Sequence, residues 1–374
     1  MLRSWINSLG SIMKYYTDDP DPQTSQDMSL LENLRRAVWG NPAAFTVQTA
    51  AQDGQPVEYL DLGHHLAAVH VIFPGVHNKE ILVLRGYQNA MHAFRHDMEI
   101  YAKGACISGQ QRLGKSTFLA YVLIERLRER QPVAIQPPWS DEYILFTQNG
   151  TSIHNCRDQT LANHGSNLWA LCDAKPNFQE PTLAFTRAMH KGVRIFLATT
   201  AANRTVQWAE GEGICGYFMD LWSIREIEDL GVVLKYNHDA INSMVSHASQ
   251  YGPLPGLVTK VLANPGIVNQ YHKDVEGAIN NAVSHPDKTI SALFNMDNPP
   301  NTGPSTVFFI KPSREGDVVN HSSYDVVVPT RWLEDRLATA LKRAQNAKKA
   351  EFMSMLTSLP QTCVGDQPVD SFLS

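Results

Sequence analysis

The 374-residue chain is short of charge. Asp, Glu, Lys and Arg together make up 18% of it, against about 25% in an ordinary soluble domain. With 32 basic and 37 acidic residues the net charge is −5. Bulk charge therefore does not hold the chain on nucleic acid or anionic lipid, and no strong nucleic-acid signal is expected. Cysteine is scarce too. Cys106, Cys156, Cys172, Cys215 and Cys363 are odd in number and scattered, and no pair has C-x-x-C spacing. Neither a disulfide framework nor a zinc site is expected. No apolar run approaches the ~18–20 residues that span a bilayer, and the N-terminus lacks the apolar centre of a secretory signal. An intracellular protein, cytoplasmic or nuclear and without a transmembrane segment, is expected. Internal repeats and low-complexity tracts are missing. So is a G-x-S-x-G elbow, which removes support for acyl transfer.

What remains is a chain that is 43% hydrophobic, enough for a sizeable core. At about 100–200 residues per domain the length suggests two or three units. Residues 1–16 place Leu2, Trp5, Ile6 and Leu9 on one helical face, and a helix docked on its own protein is expected. The polar, Pro-containing stretch 17–27 reads as a linker. β-like runs recur at 45–47, 57–60, 68–73 and 80–84, before a helical pattern over 87–101. A short strand at 105–108 then leads through a glycine loop into a helix over 116–130.

Strand 133–135 and a hairpin, 143–147 with 151–154, follow, turning at Asn149-Gly150. Further strands are expected at 168–172, 193–199 and 217–221. Strands alternating with helices predict an α/β, three-layer core with a parallel sheet. Ser223 and Glu226 form a capping box that opens a helix. Helical periodicity then runs to about 284, broken at 252–256. Strands at 306–310 and 324–328 precede one long helix from 331 to about 356. The expected organisation is an N-terminal helix and linker (1–30), a β-containing unit (31–103), a nucleotide core (104–222), a helical lid (223–290) and a small α+β C-terminal segment (291–374).

The glycine loop is the feature that carries chemistry. Gly109, Gln110, Gln111, Arg112, Leu113, Gly114, Lys115 and Ser116 match G-x-x-x-x-G-K-[ST] between an apolar strand and a helix. Loop N–H groups and the helix N-terminus would cradle phosphate oxygens. Lys115 would reach the β- and γ-phosphates, Ser116 would ligate Mg²⁺, and Thr117 would touch the α-phosphate. A P-loop needs a second metal partner at the end of a neighbouring buried strand. Asp173 is the candidate, directly after the apolar run 168–172, against the competing reading of a strand-ending Asp that caps a turn. Ala174 and Lys175 follow, so the glutamate that often activates water is missing there, and Glu180 is only nearby in sequence. The next strand ends in Thr199 and Thr200, either of which could serve as a polar γ-phosphate sensor. Arg204 follows as a candidate phosphate or subunit contact.

These segments, with 81–87, 204–208, 217–223, 251–255 and 328–333, resemble the P-loop ATPase domain of fungal and oomycete Crinkler-type and retrotransposon-hot-spot-type proteins. The resemblance covers roughly residues 80–360. It implies a core like that of STAND and AAA-type switches, with strand order 5-1-4-3-2 and a helical lid. Gln111 and Arg112 replace the Pro and Gly usual in that loop. If position 112 needs a positive φ, a non-glycine residue there costs about 1–2 kcal/mol. Gly256 stands where relatives often carry an arginine.

Other constellations read as structural. His92 and His96, at i and i+4 before Glu99, lack an evident third ligand, and His64-His65 is similar. Cys106 and Cys172 fit buried strands. Lys342, Arg343, Lys348 and Lys349 read as a solvated helix face. The expected function is an ATP-binding, Mg²⁺-dependent NTPase acting as a slow switch or assembly module, with possible self-association or a protein partner. The alternative is a degenerate P-loop scaffold without significant turnover.

Overall fold

The computed structural model describes residues 22–51, 53–137, 142–158, 160–174, 181–199, 208–286, 288–289, 304–316, 318–358, 363–364 and 367–368. The helix expected over 1–16 lies outside them. Helix α1 (Pro22–Val38) starts inside the stretch read as a linker. Pro22 takes the first helical position, where a missing N–H costs nothing. Strands β1 (Thr46–Ala50), β2 (Pro56–Asp61) and β3 (Glu80–Leu82) form an antiparallel sheet in that order.

The run 68–73, expected as a strand, is helical instead: α2 (Leu66–Ile72) buries Ala68, Val69 and Ile72. That spacing of one and four is a helix stripe, which the apolar content alone had disguised as a buried strand. Helix α3 (Arg85–His96) then brings Tyr87, Ala90, Met91 and Phe94 to the core.

The main sheet has seven strands. β4 (Gly104–Ser108), β5 (Val133–Gln136), β6 (Glu142–Thr147), β7 (Gly150–Asn155), β8 (Trp169–Asp173), β9 (Arg194–Ala198) and β10 (Cys215–Phe218) lie in the order β10-β4-β9-β8-β5-β6-β7. The first five of these are parallel to their neighbours. Numbered along the chain they read 5-1-4-3-2. The expected all-parallel sheet is corrected at one edge, where the β6–β7 hairpin adds two antiparallel strands to β5. Its two-residue turn, Gln148-Asn149, joins Thr147 to its partner Gly150. So short a connection can produce only an antiparallel neighbour.

Both faces of this sheet are buried. In β8, Trp169 and Leu171 join one apolar cluster while Ala170 and Cys172 join the other. In β9, Phe196 and Ala198 divide in the same way from Ile195 and Leu197. Helix α4 (Lys115–Arg128) packs on the first face and α5 (Leu183–Met189) on the second. Near-continuous apolar runs are what a two-sided strand requires.

After β10 come helices α6 (Ile224–Val233), α7 (His238–Tyr251), α8 (Pro255–Ala263) and α9 (Ile267–Ser284). The Ser223–Glu226 capping box is formed at the start of α6. The chain then makes an antiparallel pair, β11 (Phe309–Glu315) and β12 (Val318–Val328). The single long helix expected over 331–356 is two: α10 (Arg331–Arg343) and α11 (Asn346–Ser358). Ala344 between them is extended (ψ 152°). The break lets fully buried Phe352 pack 6.4 Å from Phe308, a tertiary contact without a local signal.

Candidate functional site

The site is built where β4 ends. Gly109 to Gly114 form the turn between β4 and α4, so the first α4 N–H groups open onto the loop. Three loop residues have a positive φ: Gly109 (φ 140°), Arg112 (φ 66°) and Gly114 (φ 91°). Position 112 does need a positive φ, and Arg112 carries that strain. The Lys115 ammonium folds back on the loop, donating to the carbonyls of Gly109 (2.9 Å) and Gln110 (2.8 Å). Burial lowers its pKa to about 8, and the charge of Asp173 acts in the opposite direction. Lys115 and Asp173 therefore feel each other's charge at the mouth of the sheet. Asp173 itself is half-buried at the end of β8, in register with Ala198 of β9.

Every loop residue has a structural neighbour from elsewhere in the chain. The buried Gln110 amide donates from Nε2 to the Ser305 carbonyl (2.6 Å) and accepts from the Ile310 N–H (3.2 Å). Gln111, half-buried, and Arg112 line a space of about 280 Å³ facing Leu257, Tyr271 and Thr306. Burial pulls the Arg112 pKa down, while Tyr271 and Asp274 hold its charge. The Leu113 carbonyl accepts from Trp222 Nε1 (3.0 Å), and the Gly114 carbonyl from the Tyr87 hydroxyl (3.4 Å). Ser116 Oγ faces Gly75, where a Cβ would stand 3.3 Å from it. Thr117 is half-buried beside Gly114. Thr199 is buried, and its N–H donates to the Ile107 carbonyl (2.9 Å), so the end of β9 adjoins the start of the loop. Thr200, Arg204 and Glu180 lie outside the described residues.

Beside the loop is a larger cavity with about 440 Å³ of empty space, lined by Tyr87, Phe118, Tyr217, Met219, Trp222 and His321 among others. Three of these residues touch the loop. Tyr87 and Trp222 make the hydrogen bonds just given, and a Cβ on Gly109 would stand 3.2 Å from the Met219 carbonyl. An aromatic cavity thus lies beside the loop, joined to it through Tyr87, Trp222 and Met219. Comparison with protein-family models and with curated proteins finds no match for this chain.

Sequence reasoning did not single out Tyr87, Tyr217, Trp222 or His321 as site residues. The segments 81–87 and 217–223 do carry the family resemblance, and that was the available signal for the first three. His321 had none, because its strand is remote in sequence. Cys106 and Cys172 are buried, and burial pushes both thiols well up, which leaves them inert. The His92 and His96 rings are 4.5 Å apart. Among the described residues no group of three or more His, Cys, Asp or Glu side chains is arranged to hold a metal. None of the described helices is long and apolar enough to cross a membrane.

Proposed function

We propose that the chain is a three-layer P-loop NTPase of the Crinkler and retrotransposon-hot-spot type, binding ATP with Mg²⁺ and working as a slow switch or assembly module. The observation that carries this reading is Lys115. A lysine is held on two carbonyls of a glycine loop, at the N-terminus of a helix, with a carboxylate in electrostatic reach. An arriving phosphate chain offers that ammonium better acceptors than neutral carbonyls. Loop N–H groups and the N-terminus of α4 add donors for the same oxygens. The aromatic cavity next to the loop suits a flat, apolar-faced base.

The donor set also fits the metal. Ser116 hydroxyl and Asp173 carboxylate are hard oxygen donors, and Mg²⁺ binds through one or two such groups plus phosphate and water rather than in an all-protein cage. The ion, when bound, would neutralise charge on the phosphates. Gly75 leaves the space over Ser116 Oγ clear. The rest falls to the chain's own groups: Lys115 holds phosphate charge, and Tyr87 and Trp222 hold the loop's shape through the Gly114 and Leu113 carbonyls.

One observation favours the alternative of a nucleotide-holding scaffold without significant turnover. Ala174 follows Asp173, and its N–H is tied to the Ala198 carbonyl at 2.8 Å, so the position after the carboxylate provides no base. ATP binding and steady-state hydrolysis by the wild type and Lys115→Ala test the proposal. Micromolar binding that is lost in the variant supports it, and wild-type turnover separates the NTPase from the scaffold. Equal binding by the two proteins, or none by the wild type, would overturn it.

A further inference from the structure

The cavity beside the loop is closed by a part of the chain about a hundred residues away from the strand it covers. The β11–β12 hairpin touches the site at two ends. At the loop end Gln110 is shared. Its main-chain carbonyl accepts from Lys115 Nζ (2.8 Å), while its side-chain amide takes the Ser305 carbonyl and the Ile310 N–H. The amide is only 4% exposed, so water offers no substitute partner for either contact. At the cavity end His321 stacks on Tyr217, with ring centroids 4.3 Å apart and planes 8° from parallel. His321 Nδ1 also donates to the Phe218 carbonyl (2.7 Å), and Arg314 pairs with Asp220. Tyr217, Asp220 and His321 all line the cavity.

We infer that the β11–β12 hairpin is a wall of the nucleotide site, with His321 a positioning residue for the base, and that nucleotide occupancy and hairpin docking are one linked equilibrium. The inference rests on the nucleotide-binding reading above. Its physical route is short. A phosphate that draws Lys115 Nζ off the Gln110 carbonyl acts on the same residue whose side chain hooks the hairpin. A base entering the cavity meets the His321–Tyr217 pair that closes its far side. Either ligand contact changes the free energy of docking, and linkage makes the effect reciprocal: the factor by which nucleotide favours docking equals the factor by which docking favours nucleotide.

The test uses the full chain, with ADP and ATP in Mg²⁺ as probes. Amide hydrogen exchange over 309–328 is followed with and without nucleotide, alongside nucleotide affinity. Two hairpin variants are compared with the wild type: His321→Ala, and Arg314→Ala at a half-exposed site where folding is not at stake. The expected result is that nucleotide slows exchange across the hairpin by about five-fold or more. Both variants should bind nucleotide more weakly by a similar factor, and their hairpins should exchange faster. If the wild type binds nucleotide but hairpin exchange is unmoved and Arg314→Ala binds as the wild type does, the inference fails and the nucleotide reading stands. If the wild type binds no nucleotide, the reading fails and carries the inference with it.

Discussion

The N–H of Gly256 donates to the carbonyl oxygen of Arg112 at 3.2 Å, joining the first turn of α8 to the tip of the glycine loop. A Cβ built on Gly256 would stand 3.2 Å from the Arg112 Cβ and 3.3 Å from its carbonyl oxygen. Glycine at 256 therefore permits the helix to approach a loop that carries a side chain in a left-handed conformation. The two positions are matched to each other.

Arg112→Gly should stabilise the protein by about 1 kcal/mol, because glycine adopts φ 66° without the penalty of a Cβ and the contact through the carbonyl remains. Gly256→Ala should destabilise it by about 1–2 kcal/mol through crowding at the same contact. In the double variant the alanine meets no Cβ at 112, so its cost should shrink. Urea unfolding of the four proteins measures the coupling, and strictly additive effects would disprove the match.

On the proposed nucleotide-binding reading, Lys115 should make nucleotide affinity depend on pH. Its pKa in the free protein is about 8, below the ordinary lysine value of 10.5. Below pH 8 the ammonium is present and binding is insensitive to pH. Above pH 8 binding must recover a proton, so affinity should fall by up to about tenfold per pH unit. Titration of ADP affinity between pH 7 and 9.5 would show the break, and Lys115→Arg should remove it. The same shift has the opposite sense for folding. The charged form is penalised in the folded state, so this contribution to stability improves as pH rises from 8 towards 10.5.

Trp222→Phe keeps a ring in the cavity and removes only the indole N–H. The Leu113 carbonyl then loses its partner inside the protein, at a cost of about 1–3 kcal/mol. Thermal melting should show that loss. Nucleotide affinity should fall with it, since the loop's shape depends on that carbonyl. Affinity equal to that of the wild type would mean that the hydrogen bond does not hold the loop.

Gly104→Ala should fail to fold at 37 °C or lose at least about 3 kcal/mol. Gly104 opens β4 with φ 108°, and an added Cβ would sit 1.8 Å from the Ile195 carbonyl in the neighbouring strand. Neither partner can move, because both belong to the paired backbone of β4 and β9. Gly54→Ala is the control. It has a comparable φ of 82° but open space around its Cβ, so only the conformational penalty of about 1–2 kcal/mol remains.

Local chemistry was readable directly. The glycine loop between β4 and α4, the Ser223–Glu226 capping box and the break in helices near Gly252 depend on a few adjacent residues whose backbone preferences do not need a partner. Lys115 and Asp173 were singled out because glycine spacing and a strand-end carboxylate are local patterns, and the charge of Asp173 does reach Lys115 in the fold. Residues 68–73 misled because a short apolar run serves a buried strand and a buried helix equally well.

The tertiary structure decided which distant surfaces meet. The β6–β7 hairpin was legible, but its seat on the edge of β5 depended on what the rest of the sheet left unpaired. Nothing near Gln110 announces that its amide will be shared by Ser305 and Ile310, nor does His321 signal that it will stack on Tyr217. The last helix is split at Ala344, and Phe352 beyond the split packs near Phe308, a pairing with no signal in the local sequence. The scarcity of charge and cysteine argued against a disulfide framework and against attachment to nucleic acid or lipid by bulk charge. Backbone preference, which acts over a few residues, built the loop. Burial, which acts across the whole chain, determined what closes over it.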